Sequence, residues 1–436
     1  MSIWETTIDW DALPDARENT YAWDSLGELR RHNSIADANN LDESTERARK
    51  GTSWKYSVQA FCWFRLRRIT ALQQALDALE ADLPGGWEPH DGAEFFQNER
   101  GRVRPITAQT VDDRVLSHCL NDFELIPKIR PYLIHDNGAS LKGKGLDFSR
   151  QRMRVALERY YRREGTNKGW IYLEDKTKYY DNIPHDKAYE TLATFTDNEL
   201  ARKIIRKSLK NAELDMSDLT DVEFEKAKRE KVDRVQWRLG NHPKGGIRML
   251  RKGVNVGDQL SQTIGIVYPW RADNEARIIQ GSRYYMRYMD DSADIDSDLE
   301  RLKRRADAVA RVSREAGMFI NEKKTVICRI DKGFIWLKHL YRLREDGTVE
   351  ERILPKSVHT FRRHIRKLKR KVDAGSIPTE EVAGMIRSWL FARRDVMSYP
   401  RMRKMELMVL ELYGREAYEQ VYDHAEKWKA TGRPDP

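Results

Sequence analysis

Residues 283–298 read RYYMRYMDDSADIDSD. An apolar, aromatic run leads into two adjacent aspartates, Asp290 and Asp291, and a second short apolar stretch, Ala293 to Ile295, follows them. Strand, turn, strand is the local structure this pattern predicts. Two like charges side by side repel one another unless something cationic sits between them. A fold that keeps this hairpin must either leave the pair in solvent, since aspartate is common in turns, or bring other groups to it. A third carboxylate is available: GWIYL (169–173) reads as a short buried strand that ends in Glu174 and Asp175. If the two strands are neighbours in one sheet, Asp175, Asp290 and Asp291 converge. Carboxylates with water suit Mg²⁺, with Mn²⁺ as the alternative, and two such ions about 3.5–4 Å apart clamp both oxygens of a phosphoryl transfer.

The rest of the chain is patterned around these elements. From Ser57 to Leu83 apolar residues recur at helical spacing, and Pro84-Gly85-Gly86 ends the run. FFQNERGRVRPITA (95–108) predicts two strands around a turn at Glu99 to Arg102. A helix follows through DDRVLSHCLNDFELI, so Asp112–Asp113 is assigned to a helix start rather than to chemistry. DNGASLKGKGLDFSRQRM is a Gly-rich basic loop running into a helix. Its glycines let backbone N–H groups approach an anion, although the spacing is not that of a Walker loop. RKGVNVGDQLSQ is a Gly-punctuated turn opening a helix near Leu260. Residues 299–316 form an amphipathic helix, NEKKTVICRI and GFIWLKHLYRL read as strands, and 379–394 and 401–424 are helical. Ser292, Asp294, Asp296 and Asp298 read as a solvated strand edge, with an additional electrostatic feature as the alternative.

Charge bears on the partner. Lys plus Arg total 79 against 69 Asp plus Glu, a net charge of +10. The excess thickens toward the C-terminus, a footprint for a polyanion, although net charge alone fits a well-solvated surface equally well. The helix over 356–371 carries its cations on one face, with Val358, Phe361, Ile365 and Leu368 on the other. Its basic face would track phosphates without reading sequence. Three separated cysteines give no disulfide framework or zinc spacing. No apolar run reaches membrane-spanning length and no secretory signal shows, so no membrane partner and a cytoplasmic location are expected.

Several of these segments, taken in order, resemble one known family. YMDD (288–291) resembles motif C of reverse transcriptases, DKTKYYDN (175–182) motif A, and GVNVGDQLSQ (253–262) motif B of the bacterial enzymes. GRVRPI (101–106) and NGASLKGKG (137–145) resemble the two fingers motifs, NEKKT (321–325) motif D, and GFIWLKHLYRL the strand supporting the primer grip. The match covers roughly residues 55–415, and the pattern is most similar to the enzymes of diversity-generating retroelements and antiphage defence. The resemblance implies an α+β right-hand polymerase with fingers, a palm of antiparallel sheet flanked by helices, and a helical basic thumb. Its divisions would be an N-terminal extension (1–55), interleaved fingers and palm (56–340), and thumb with C-terminal helices (341–436).

It also implies roles. Asp175, Asp290 and Asp291 would be catalytic and hold two Mg²⁺ ions, with the Lys176 carbonyl as a further ligand. Tyr180 would be the steric gate against a 2′-hydroxyl. Arg104, Lys142, Lys144, Gln262, Lys323 and Lys324 would serve the nucleotide, and Arg362, Arg363, Arg366, Lys367, Lys369 and Arg370 the nucleic acid. Leu141 stands where relatives carry an arginine, and Asn255 and Asp258 replace the usual Pro and Asn of motif B. The implied activity is RNA-directed DNA synthesis on a dedicated noncoding RNA in antiphage defence, without a recognisable RNase H, integrase or endonuclease segment. Partners would be RNA template, DNA product and dNTPs, with an accessory protein or a second copy as further candidates. Diversification, template-independent or protein-primed synthesis, and a non-catalytic RNA-binding module are the alternatives.

Overall fold

The computed structural model describes residues 33–99, 102–240, 242, 245–393 and 396–429, together with a small hairpin at 21–23 and 29–31. The turn former DALPD and the centre of the turn after Glu99 lie outside the described residues. In chain order the elements used below are α1 (Ala38–Arg49), α2 (Tyr56–Trp63), α3 (Arg65–Glu80), β1 (Ala93–Glu99), β2 (Arg102–Ala108), α4 (Val111–Cys119), α5 (Leu146–Glu164) and β3 (Trp170–Glu174). They continue as α6 (His185–Ala193), α7 (Glu199–Asn211), α8 (Gln259–Val267), β4 (Met286–Tyr288), β5 (Asp291–Asp296), α9 (Leu299–Glu315) and β6 (Val326–Arg329). The last are β7 (Phe334–Trp336), β8 (His339–Leu343), β9 (Val349–Ile353), α10 (Pro355–Asp373), α11 (Thr379–Phe391) and α12 (Tyr399–Lys429).

Compactness divides the chain into two units. The first comprises Met1–Gly145, Tyr172–Asp294 and Lys303–Val326. Its core gathers Leu72 and Leu76 of α3, Val115 and Leu116 of α4, Leu200 and Ile204 of α7, and Leu260 and Ile264 of α8. Each fully buried aliphatic side chain contributes about 1.5–3 kcal/mol. The helix predicted over 57–83 is two helices that break at Phe64, whose backbone leaves helical geometry at φ −107° and ψ 30°. The break lets Val58 and Phe61 of α2, and Ile69, Leu72, Leu76 and Leu79 of α3, all reach the interior. β1 and β2 pair antiparallel from Ala93–Ala108 to Glu99–Arg102, as the pattern predicts. The predicted helix after them starts at Val111 and continues as a π-helical stretch, Leu120–Leu125. In the central sheet β3, β5 and β4 are consecutive neighbours, so the strand before Asp175 lies beside the one that begins at Asp291.

His185 opens α6 and is buried, with a ring nitrogen 2.6 Å from the Gly253 carbonyl. Burial pushes its pKa from 6.5 down to about 4. The unfolded chain therefore takes up this proton below pH 6.5 while the folded chain does not until near pH 4. Stability should fall as pH drops through that window, by up to about 3 kcal/mol. His185→Gln should flatten this part of the urea-denaturation pH profile. Parallel profiles for the two proteins would contradict it.

The acidic run after the hairpin is not a solvated edge. Ser292, Asp294 and Asp296 are buried, and only Asp298 is exposed. Asp294 accepts from Arg305 Nε of α9 at 2.7 Å and from Ser282 Oγ at 2.5 Å.

The second unit comprises Leu146–Ile171, Ile295–Leu302 and Ile327–Pro436. Within it Asp296 accepts from Arg301 Nε at 2.9 Å. GFIWLKHLYRL is a tight hairpin rather than one strand. Leu337 and Lys338 turn at φ 44° and 67°, and β7 pairs with β8. β9, absent from the sequence reading, completes this three-stranded sheet. α10 buries Val358, Ile365 and Leu368, as the pattern predicts, and Phe361 stacks on Trp389 of α11 with ring centroids 4.0 Å apart.

Candidate active site

β4 and β5 form the expected hairpin, with Tyr288 opposite Asp291. Met289 at its turn holds φ 54°, a conformation that few side chains adopt. The turn is fixed from behind by Arg287, which is fully buried. Its guanidinium binds both oxygens of Asp273 at 2.8–2.9 Å, the Ile266 carbonyl at 2.7 Å and the Met289 carbonyl at 3.2 Å. Tyr285 donates to the same carboxylate at 3.0 Å. The Arg287 backbone also holds the Gly-rich loop: its N–H donates to Asp136 O at 3.1 Å, and Gly138 N–H donates to its carbonyl at 3.0 Å. Leu141, where relatives carry a cation, is buried with Ala139 and Ile266 and packs toward Tyr288 and Met289. The loop is thus docked onto the acidic hairpin by an apolar contact.

Asp175 follows β3. Its carboxylate accepts from Lys324 Nζ at 2.9 Å and Asn321 Nδ2 at 2.7 Å, and its carbonyl accepts from Asn321 N–H at 2.8 Å. On either side of it, Glu174 and Lys176 form a buried ion pair at 2.7 Å, with Tyr172 donating to Glu174 at 2.7 Å. The Lys176 ammonium is therefore engaged, which leaves its carbonyl as the group the family resemblance points to.

Asp291 feels the charges of Asp290 and Asp175, and Asp290 feels that of Asp175. Asp291 is pushed up to about 7, first by burial, then by the charges of Asp290 and Asp175, against the opposing pull of Lys324 and Lys176. Asp290 is raised by burial and by Asp175. Half-buried carboxylates that repel one another form an oxygen donor set short of positive charge, which suits a hard divalent cation. Among the described residues, no three His, Cys, Asp or Glu side chains stand close enough together to cage an ion. Asp175 is instead turned onto the Lys324 ammonium, 2.9 Å away.

Tyr180 lies close to this group. Its hydroxyl is 3.5 Å from Met289 Sδ, and burial followed by the Asp290 charge pushes its pKa to about 12. Gly265 of α8 makes room for it, since a Cβ there would lie 2.4 Å from the Tyr180 hydroxyl. Tyr179 donates to the Gly265 carbonyl at 3.0 Å. Asp181 is not near a ligand role: it accepts from Arg234 N–H at 3.3 Å.

The remaining residues are placed as follows. Arg104 is exposed on β2, and its charge lowers the Tyr180 pKa. Lys142 is exposed, whereas Lys144 donates to the His135 carbonyl at 2.8 Å. Gln262 is exposed on α8, and Lys323 is exposed beside Lys324. Asp258 caps α8, accepting from Leu260 N–H and Ser117 Oγ, both at 3.1 Å. Asn255 accepts from Arg234 and Arg238. In the second unit, Arg363, Arg366, Lys367 and Arg370 are exposed on α10. Arg362 is turned onto Met405 Sδ at 3.4 Å, and Lys369 pairs with Asp373. Asn321, Arg287, Asp273 and Gly265 were not foreseen. A cation inside the apolar strand YYMRYM was a readable signal for Arg287, because a buried charge needs a partner; nothing in the local sequence marks Asp273.

Mixed helices and antiparallel sheets with an acidic hairpin beside Asp175 define the fold of a right-hand polymerase. A family model described as reverse transcriptase (RNA-dependent DNA polymerase) matches residues 94–363, and the chain belongs to this family. No curated protein matches it. Among solved structures it is similar to the apo telomerase of Candida tropicalis truncated from its C-terminal domain, at 14% identity and a TM-score of 0.38. That likeness covers 60% of this chain and 54% of the other, so the chain spans about half the length of that structure. Among the described residues, no helix is long and apolar enough to cross a membrane.

Proposed function

We propose that the chain is an RNA-directed DNA polymerase in which Asp175, Asp290 and Asp291 hold two divalent cations. The observation that carries this reading is that Asp290 and Asp291 are raised by burial and by the charge of Asp175, at a hairpin inside the family-matched span. When bound, such cations activate the primer 3′-hydroxyl and neutralise the triphosphate. The protein's own part is to position. Arg287 and Asp273 hold the turn, Asn321 orients Asp175, and Lys324 would place its ammonium near the leaving pyrophosphate. Lys323, Arg104, Lys142, Lys144 and Gln262 serve the nucleotide, and the Lys176 carbonyl adds a ligand. The exposed cations of α10 bind nucleic acid as a thumb within the C-terminal part (341–436), residues 56–340 form fingers and palm, and 1–55 form an extension. We further propose a bacterial enzyme of the cytoplasm that copies a dedicated noncoding RNA in antiphage defence.

Purified protein with its bound RNA, Mg²⁺ and labelled dNTPs tests the activity. DNA complementary to the RNA supports the reading. DNA of unrelated sequence contradicts templating and favours terminal addition, and absence of DNA favours a binding module.

Tyr180 is the gate against ribonucleotides in this reading. Gly265→Ala should push its ring into the nucleotide site and lower kcat/KM for dNTPs by about 100-fold, the scale of a misplacement of ~1 Å. The charge of the site is untouched, so an unchanged kcat/KM would remove Tyr180 from the nucleotide path.

A further inference from the structure

We propose that the surface formed by residues 50–68 of the first unit is a binding site for single-stranded RNA. The proposal rests on the reading that this chain works with RNA, and it names where a strand is held. Trp54, Tyr56 and Trp63 are 73%, 84% and 83% exposed, and Phe64 and Leu66 are exposed beside them. Such large apolar side chains are costly to leave in water unless something covers them. Their arrangement is ordered. Tyr56 and Trp63 are seven residues apart on α2, two turns on the same face, about 10 Å along the axis. Val58 and Phe61 occupy the opposite, buried face, so α2 is anchored while its rings are presented.

Charge selects the occupant. Between Arg47 and Arg68 there are seven Lys or Arg residues and no Asp or Glu. Arg47, Arg49 and Arg65 are used within the scaffold, paired to Glu43 and Asp122, to Glu46, and to Asp42 and Glu46. Lys50, Arg67 and Arg68 are exposed and make no ion pair among the described residues. The Lys55 ammonium lies 5.6 Å from the centre of the Trp54 ring. Exposed ring faces together with unpaired cations match a ligand that offers both bases and phosphates. Stacking on aromatic side chains and a basic track along the backbone are how single strands are held. A second copy docking through the same patch would set cations against cations across a two-fold axis, which disfavours self-association here.

The full-length protein, in EDTA and without dNTPs, is titrated into a fluorescein-labelled 20-nucleotide oligouridylate and followed by anisotropy between 50 and 200 mM KCl. Trp54→Ala with Trp63→Ala should weaken binding about 30-fold, since each stacked base contributes about 1–3 kcal/mol, without changing the salt slope. Arg67→Ala with Arg68→Ala should flatten that slope by about 1.4, at ~0.7 per lost phosphate contact. All four side chains are exposed, and circular dichroism confirms that the variants fold. Unchanged affinity and slope in both variants overturns the proposal. So does unchanged affinity accompanied by the loss of a dimer or a bound protein in sedimentation, which would make the patch a protein interface. Incorporation on a preformed short primer–template duplex is measured in parallel. Its absence in the unmodified protein would refute the polymerase reading while leaving the binding result intact.

Discussion

Replacing Asp290 and Asp291 with asparagine is expected to lower the rate of DNA synthesis by more than about a thousandfold, the scale of losing preorganised charge at a reacting phosphate. RNA affinity should stay within twofold. The substitutions keep shape, remove the charge and turn one acceptor oxygen into an NH2 donor, so a fall in rate reports on the loss of the anionic oxygens that would hold cations. A second signature separates this from simple damage. Burial and the neighbouring Asp290 and Asp175 charges push the Asp291 carboxyl from 3.8 up to about 7, so between those pH values the unfolded chain releases a proton that the folded chain keeps, and stability lost through that window is fully lost at pH 8. Asp291→Asn should therefore raise Tm in metal-free buffer at pH 8 while abolishing synthesis, the exchange expected where function strains a fold. Lower Tm with lower activity would mark the residue as structural. Retained synthesis would remove it from the reaction.

Arg287→Met is expected to destabilise the protein by about 3–5 kcal/mol, because it leaves Asp273 charged, buried and without its main partner. The Met289 carbonyl loses its donor at the same time, so the acidic turn should loosen before the fold is lost. Urea denaturation checks this. The double variant Arg287→Met with Asp273→Leu should recover most of the loss, because removing both partners avoids the stranded charge. A loss under about 1 kcal/mol for the single variant would mean that water reaches Asp273 and that the turn is held by something else.

The acidic hairpin and its neighbour were legible because each is announced locally. A strand pattern ending in paired acids, and another ending in Asp175, need only be adjacent in one sheet, and β3 and β5 are neighbours. The amphipathic α10 was legible for the same reason: its period is that of the helix it forms. What failed depended on distant partners. Ser292, Asp294 and Asp296 alternate as a solvent-facing strand would, yet Arg305 and Arg301 reach Asp294 and Asp296 from α9. The arginines' spacing of four residues was the available clue, since it puts them on one helix face. The β7–β8 hairpin was hidden because Leu337 and Lys338 make its turn at positive φ, where Asn-Gly or Asp-Gly would have signalled it. Leu141 looked like a missing cation only against the family pattern; its burial against Ile266 shows a packing residue.

The most direct test counts bound ions. Electron paramagnetic resonance of Mn²⁺ added to the protein with primer–template and a non-hydrolysable dNTP should report two bound ions per chain. With Asp175→Asn and Asp290→Asn together, that number should fall below one. Equal stoichiometry in the two proteins, or no bound Mn²⁺ in the unmodified complex, would contradict cation-held catalysis at these carboxylates.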